Sequence, residues 1–192
     1  MKADVKLGLK IAGLVIGVIL LLILGFIGFW IHDSKDKTKD IGKYQEYVGQ
    51  DGKYKENLGL YNDIFPDMID LDSCEIEDFC YYYYNPWDPC YLGYLVYTCD
   101  DGFFEQEYQR LKELDSAKEP YPYKIESFPY ELCAVYVNLD YGFIYALADR
   151  EQKKFAYVEL QFCNGFTDIN YEKIIDAKYL PKGMDIKASY EE

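Results

Sequence analysis

The sequence predicts an α+β domain behind one N-terminal transmembrane helix, in the order β-β-α-β-β-β-α, with a mainly antiparallel sheet and helices on one face. Three observations predict it. One apolar run near the N-terminus is uninterrupted, several short aromatic and β-branched stretches are separated by turn residues, and one segment places its apolar residues at helical spacing.

The run from Ile11 to Ile31 holds 21 consecutive residues without a charged side chain. At ~1.5 Å per residue it covers about 31 Å, matching a hydrocarbon core ~30 Å thick. Trp30 and His32 stand where interfacial residues belong. A cleaved signal peptide is the alternative, but its apolar region is ~7–15 residues long and ends in small residues. This run ends in Phe29, Trp30 and Ile31, so an uncleaved signal-anchor is expected.

Basic residues close to a span are retained in the cytoplasm. Residues 1–10 carry Lys2, Lys6 and Lys10 against Asp4, whereas Lys35, Lys37 and Lys39 beyond the span are balanced by Asp33, Asp36 and Asp40. The expectation is a single-pass protein of the cell membrane with its N-terminus inside and its C-terminal domain outside. Ten residues make only a tail, so function is expected in the exported part or in lateral contacts of the helix. Gly13 and Gly17 form a G-x-x-x-G pair with Gly25 and Gly28 near the same stripe, a candidate helix–helix contact for a homodimer or a partner membrane protein.

Residues 32–57 are polar and rich in Gly and Lys, and read as a stalk. The stalk contains a weak ten-residue repeat, GKYQEYVGQD from Gly42 followed by GKYKENLGLY from Gly52, too short for a repeat architecture. Residues 58–186 have the size of one extracytoplasmic domain, and 187–192 form a tail. Ile64, Phe65, Met68 and Ile69 around Pro66 read as an apolar lead-in. Phe79–Tyr84 and Tyr91–Cys99 favour strands, and NPWDP between them makes a hairpin. Asp100 or Asp101 can cap a helix in which Phe104, Tyr108, Leu111 and Leu114 share a face. Strands follow near Cys133–Leu139, Phe143–Ala148 and Ala156–Phe162, with the charged turn DREQKK before the last. Tyr157, Glu159 and Gln161 alternate with apolar residues there, which implies a solvated face. A short helix is expected at Tyr171–Tyr179 before Pro181.

Beyond the span, 17 basic residues face 33 acidic ones, a net charge of −16. Such a domain repels polyanions, so nucleic acid is not an expected partner. The densest acidic stretch, Asp67 to Asp78, lacks the glycine and glutamate positions of an EF-hand and reads as a solvated loop. No metal or other cofactor is expected.

Six cysteines, Cys74, Cys80, Cys90, Cys99, Cys133 and Cys163, all follow the span and are disulfide candidates. No two form C-x-x-C. The single histidine is His32, at the membrane edge, which removes imidazole chemistry from the folded domain. With Walker, nucleophile-elbow and dinucleotide motifs also missing, no catalytic residues are assigned and an enzyme is not expected.

The remaining signal is aromatic: 22 tyrosines, clustered in CYYYYNPWDPCYLGY from Cys80. Alternate strand residues point to opposite faces, so Tyr81 and Tyr83 are expected in the core, while Tyr82 and Tyr84, with Trp87 in the loop, make a candidate binding face. Three readings follow. They are a membrane-anchored extracytoplasmic interaction domain, for example an accessory subunit of a membrane complex; an envelope carbohydrate-binding module using the aromatic face; and a carboxylate-dependent hydrolase.

Overall fold

The computed structural model describes residues 2–48, 52–54, 63–85, 89–114, 127–128, 130–138, 142–162 and 169–182. Trp87, Cys163 and the expected tail 187–192 lie outside them. The chain divides into two compact units, 1–35 and 36–192.

The first unit is essentially one helix, α1 (Lys2–Asp33). Its stretch Lys10–Trp30 is long and apolar enough to cross a membrane. The helix continues past that stretch because no Pro interrupts it and Leu, Ile and Val leave the backbone no competing polar partner. Its large side chains are exposed, Leu14 and Leu21 by 70% and 71%, which is unlike the core helix of a soluble protein.

The second unit is built on a six-stranded sheet with strand order β1-β2-β3-β6-β5-β4. The strands are β1 (Lys35–Thr38), β2 (Cys74–Tyr84), β3 (Cys90–Cys99), β4 (Glu131–Asn138), β5 (Gly142–Asp149) and β6 (Lys154–Phe162). The β2–β3, β3–β6, β5–β6 and β4–β5 ladders are antiparallel. Two further helices are α2 (Tyr44–Tyr47) and α3 (Asp101–Glu113). Asp100 caps α3 by accepting from Phe103 N at 2.8 Å, and the buried residues Phe104, Glu107, Tyr108 and Leu111 lie on one stripe. The chain leaves β3 through α3, reaches the outer edge at β4 and returns strand by strand until β6 pairs with β3.

The two ends of β5 shape that return. Asp149 Oδ1 accepts from the backbone N–H of Glu151 and Gln152 in the charged β5–β6 turn, where Lys153 takes a positive φ of 50°. Gly142 opens β5 at a φ of 133°, and a Cβ there would lie 2.1 Å from the Leu160 carbonyl oxygen. Only glycine fits so close a backbone approach.

Four expectations change. The stretch expected as a stalk enters the fold from Asp36 onward: β1 covers the β2 edge, and α2 buries Tyr44 and Tyr47 beside Val48. The stretch held too few aliphatic residues to suggest a core, but tyrosine rings supply the apolar area. Strand β2 starts five residues earlier than expected, because Cys74 and Ile76 alternate with the exposed Glu75 and Glu77. The acidic stretch is therefore loop up to Ser73 and strand beyond it.

The third change concerns the sheet faces. Helices α2 and α3 lie on one face with Phe79, Tyr81, Tyr83, Tyr97, Phe155 and Tyr157. The opposite face is covered too, by Ile169, Ile175 and Tyr179 packed on Cys80, Tyr94, Tyr145 and Val158. Tyr157 and Gln161, expected in solvent, are 0% and 3% exposed. Finally, the terminal helix is replaced by two 3₁₀ turns, Tyr171–Lys173 and Ala177–Tyr179, the second begun by Asp176 accepting from Lys178 N. The buried residues Ile169, Ile175 and Tyr179 are spaced irregularly, and an uninterrupted α-helix does not direct that spacing onto one flat face.

Candidate functional site

The aromatic residues singled out by alternation do separate by face. Tyr81 and Tyr83 are buried against the helices. Tyr82 and Tyr84 are half-buried and pack on the opposite core cluster, and the Lys37 ammonium lies 5.2 Å from the Tyr82 ring centroid. These two rings are therefore occupied in packing, and Trp87 lies outside the described residues. The cysteines disperse: Cys80 and Cys90 on one face, Cys133 on the other, and Cys74 directly across the ladder from Cys99. Along α1, a Cβ added at Gly13, Gly17, Gly25 or Gly28 would meet open space.

A second tyrosine cluster closes on itself. Asp36 accepts from Tyr54 Oη at 2.6 Å, Lys53 Nζ at 2.8 Å and Tyr47 Oη at 3.0 Å. Burial alone raises the Asp36 pKa, but these hydrogen bonds hold it below the ordinary value. Tyr54 stacks on Tyr83 at 3.8 Å between centroids, and burial with the Asp36 hydrogen bond pushes the Tyr54 hydroxyl up to about 12. The Asp36, Tyr47, Lys53 and Tyr54 side chains thus bond one another, which braces residues 36–48 and 52–54 against the sheet.

The open site is elsewhere. Residues 66–72, leading into β2, and the first turns of α3 enclose a hollow of about 610 Å³ lined by Met68, Ile69, Asp70, Leu71, Asp72 and Phe103. A second hollow of about 320 Å³ adjoins it, sharing Met68 and Phe103 and ending at Glu107 and Arg110. Together they form a groove. Met68 is 68% and Leu71 57% exposed, the only large apolar side chains beyond α1 so exposed among the described residues.

Its walls are held firmly. Asp70 accepts from Asp72 N at 3.0 Å and from Ser73 Oγ at 2.8 Å, and the Ser73 hydrogen bond keeps the Asp70 carboxyl below its usual pKa. Asp100 N donates to Ser73 O, joining this turn to the cap of α3. Behind the groove, Arg110 donates to the carbonyls of Asp63 and Ile64, both at 2.7 Å, while Tyr44 Oη donates to Pro66 O at 2.6 Å.

The groove is thus apolar around Met68, Ile69, Leu71 and Phe103, polar at the end formed by Gln106, Glu107 and Arg110, and acidic at its rim, where Asp67, Asp70 and Asp72 stand exposed. A carboxylate with a lowered pKa, as at Asp70, is a poor general acid. Among the described residues no group of three or more His, Cys, Asp or Glu is placed to hold a metal ion. The arrangement fits adhesion: apolar contact flanked by negative charge. The sequence alone reads Met68 and Ile69 as part of an apolar lead-in and their acidic neighbours as a solvated loop. The signal for a groove was their interleaving, since a wholly solvated acidic loop has no use for Met68, Ile69 and Leu71.

Comparisons with protein-family models, with curated proteins and with solved structures find no match to this chain.

Proposed function

We propose that this chain is a membrane-anchored binding domain that receives a basic, amphipathic segment of a protein partner in the groove between residues 66–72 and α3. The observation that carries the reading is the exposure of Met68 and Leu71 beside Phe103 under an acidic rim. Apolar surface of this kind is costly to leave in water, and its acidic border selects basic partners. The overall charge of −14 acts in the same direction at longer range.

In this reading α1 is the single-pass anchor. Its length, composition and exposed side chains support that role, and Lys2, Lys6 and Lys10 support a cytoplasmic N-terminus with the domain outside. Gly13, Gly17 and Gly28 would let a second helix approach, as in an accessory subunit of a membrane complex. A sugar-binding face on Tyr82 and Tyr84 has less support, because both rings pack on the core.

The test uses the full chain in zwitterionic nanodiscs and a fluorescent Lys/Leu peptide of helical period, with a scrambled peptide and a Glu/Leu peptide as controls. Binding of the amphipathic basic peptide alone is expected, weakened at least ~10-fold by Met68→Ser with Leu71→Ser, since each lost apolar contact contributes on the order of 1 kcal/mol. Equal binding of the three peptides, or an affinity unchanged by the double substitution, rejects the groove as the site.

A further inference from the structure

We infer that Cys74 and Cys99 are the partners of a cross-strand disulfide joining the first residue of β2 to the last residue of β3. The two residues are directly opposed in the ladder. They are also a non-hydrogen-bonded pair: Asp100 N donates to Ser73 O one step outside them, and Cys99 N is turned the other way, to Lys153 O in the turn before β6. Opposed residues of this kind have Cα atoms ~4.5 Å apart and their side chains closest, within the ~4.4–6.8 Å that a disulfide spans.

The side chains lie on one face. Cys74 belongs to the core cluster beneath α3, and Cys99 packs against the same cluster. The Cys99 thiol donates to Lys153 O at 3.5 Å, a weak contact that rotation toward Cys74 gives up. No other described cysteine has such a neighbour: Cys80 faces Tyr94, Cys90 lies between Tyr84 and Phe162, and Cys133 sits at the irregularity in the β4–β5 register.

The chemistry is thiol–disulfide exchange with a disulfide-bearing donor such as oxidised glutathione or an oxidised dithiol protein. One cysteine thiolate attacks the donor, forming a mixed disulfide and expelling the first donor thiolate. The second cysteine thiolate then attacks the mixed disulfide at the first cysteine's Sγ, forming the Sγ–Sγ bond and expelling the second donor thiolate. Two protons and two electrons have left the pair, and the donor is reduced to two thiols. Burial pushes Cys74 up to about 11, with Asp70, Asp100 and Glu107 adding to the rise, and Cys99 up to about 12, with Cys74, Asp100 and Glu107 adding to it. Thiolate is therefore scarce at neutral pH and the uncatalysed exchange is slow. These are the properties of a structural pair.

The bond ties the end of the 66–72 turn to the residue preceding the α3 cap, and closes the hairpin at its open end. The inference stands on the strand register and is independent of what the groove binds.

The test equilibrates the full chain in detergent micelles with a glutathione redox buffer at pH 8.5. Free thiols are blocked with N-ethylmaleimide, and the digested chain is mapped by mass spectrometry. The expected product is a linked peptide pair containing Cys74 and Cys99, present also in Cys133→Ser and absent from Cys74→Ser and Cys99→Ser. The oxidised chain should melt roughly 5–10 °C above the reduced chain, the shift expected for closing a loop of this length. Alkylation of both residues at equilibrium, or their appearance in linkage with other cysteines, overturns the inference. So does a linked chain that melts no higher than the reduced one.

Discussion

Tyr157, in the middle of β6, donates its hydroxyl to the Glu107 carboxylate on α3 at 2.5 Å. The carboxylate is buried, as is the Tyr97 hydroxyl 3.0 Å from that of Tyr157. Arg110 completes the group, with Nε to Oε2 and Nη2 to Oε1 of Glu107, both at 2.7 Å, while its other bonds reach the backbone of 63–64. The Glu107–Arg110 pair thus joins the sheet, the helix and the segment leading to the groove. A buried carboxylate is tolerated only with such partners.

Removing Arg110 should therefore cost more than neutralising Glu107. Arg110→Met leaves an unpaired charge and should destabilise by about 2–3 kcal/mol, the usual penalty discounted because the guanidinium is one-third exposed. Glu107→Gln keeps the shape and should cost about 1–2 kcal/mol. Thermal unfolding of the full chain in detergent, followed by near-ultraviolet circular dichroism, measures both. An Arg110→Met chain as stable as the parent would show that the network contributes nothing.

Acid should loosen the far side of α3. Glu131 on β4 accepts from Tyr108, and Lys112 and Arg150 lie 3.1 and 3.2 Å from its carboxylate. The Tyr108 hydrogen bond, and then those from Lys112 and Arg150, hold its pKa down at about 2 despite partial burial. Because the folded-state pKa is depressed, this contribution is complete above the unfolded value of ~4.3 and is lost as pH falls through about 2. Glu131→Gln should flatten the melting-temperature profile across that window. The effect should be small, because the site is exposed and salt screens it.

At alkaline pH the tyrosines govern. Burial raises the pKa values of Tyr44, Tyr81, Tyr97 and Tyr157 well above the ordinary value. The fold favours their neutral forms, so stability is full below the unfolded pKa of ~10 and declines above it. Phenolate absorbance from these four tyrosines should rise only in a late phase coincident with unfolding. A single smooth titration of the native protein would contradict the burial pattern.

Gly142→Ala should be among the most damaging single substitutions. It forces a side chain into a positive-φ conformation against the Leu160 carbonyl, for a loss of about 2–4 kcal/mol. Gly102→Ala is the control, because a Cβ there meets only Asp100 Oδ1 at 3.4 Å. In a helix it should be neutral or stabilise by about 0.5–1 kcal/mol. Melting temperatures of the two variants should move in opposite directions, or one should fall while the other stays.

In the membrane, Gly13→Ile with Gly17→Ile should reduce chemical cross-linking between copies or to a partner if the stripe is a contact face. Leu14→Ile with Leu21→Ile should not. Unchanged cross-linking in the glycine variant removes the stripe from the functional account.

The apolar run, the α3 stripe with its Asp100 cap, the antiparallel pairing of β2 with β3, and the charged turn at Asp149 were all legible in the chain. Each is set by a period, a cap or a turn residue acting over a few positions, where neighbouring residues alone determine the outcome. The candidate site was not legible in the same way. Tyr82 and Tyr84 were identified as sharing a face, but whether that face meets water depended on residues 169–182, about ninety positions away, folding over it. Met68 and Leu71 carry the same apolar character as core residues, and only the path of 66–72 beside α3 left them outside. The pairing of Cys74 with Cys99 likewise follows from a β2–β3 register that one residue of slip would undo. Local periodicity thus determined which elements form and which residues share a side. Long-range packing decided which sides are covered, because burial depends on what else the folded chain brings to the same place.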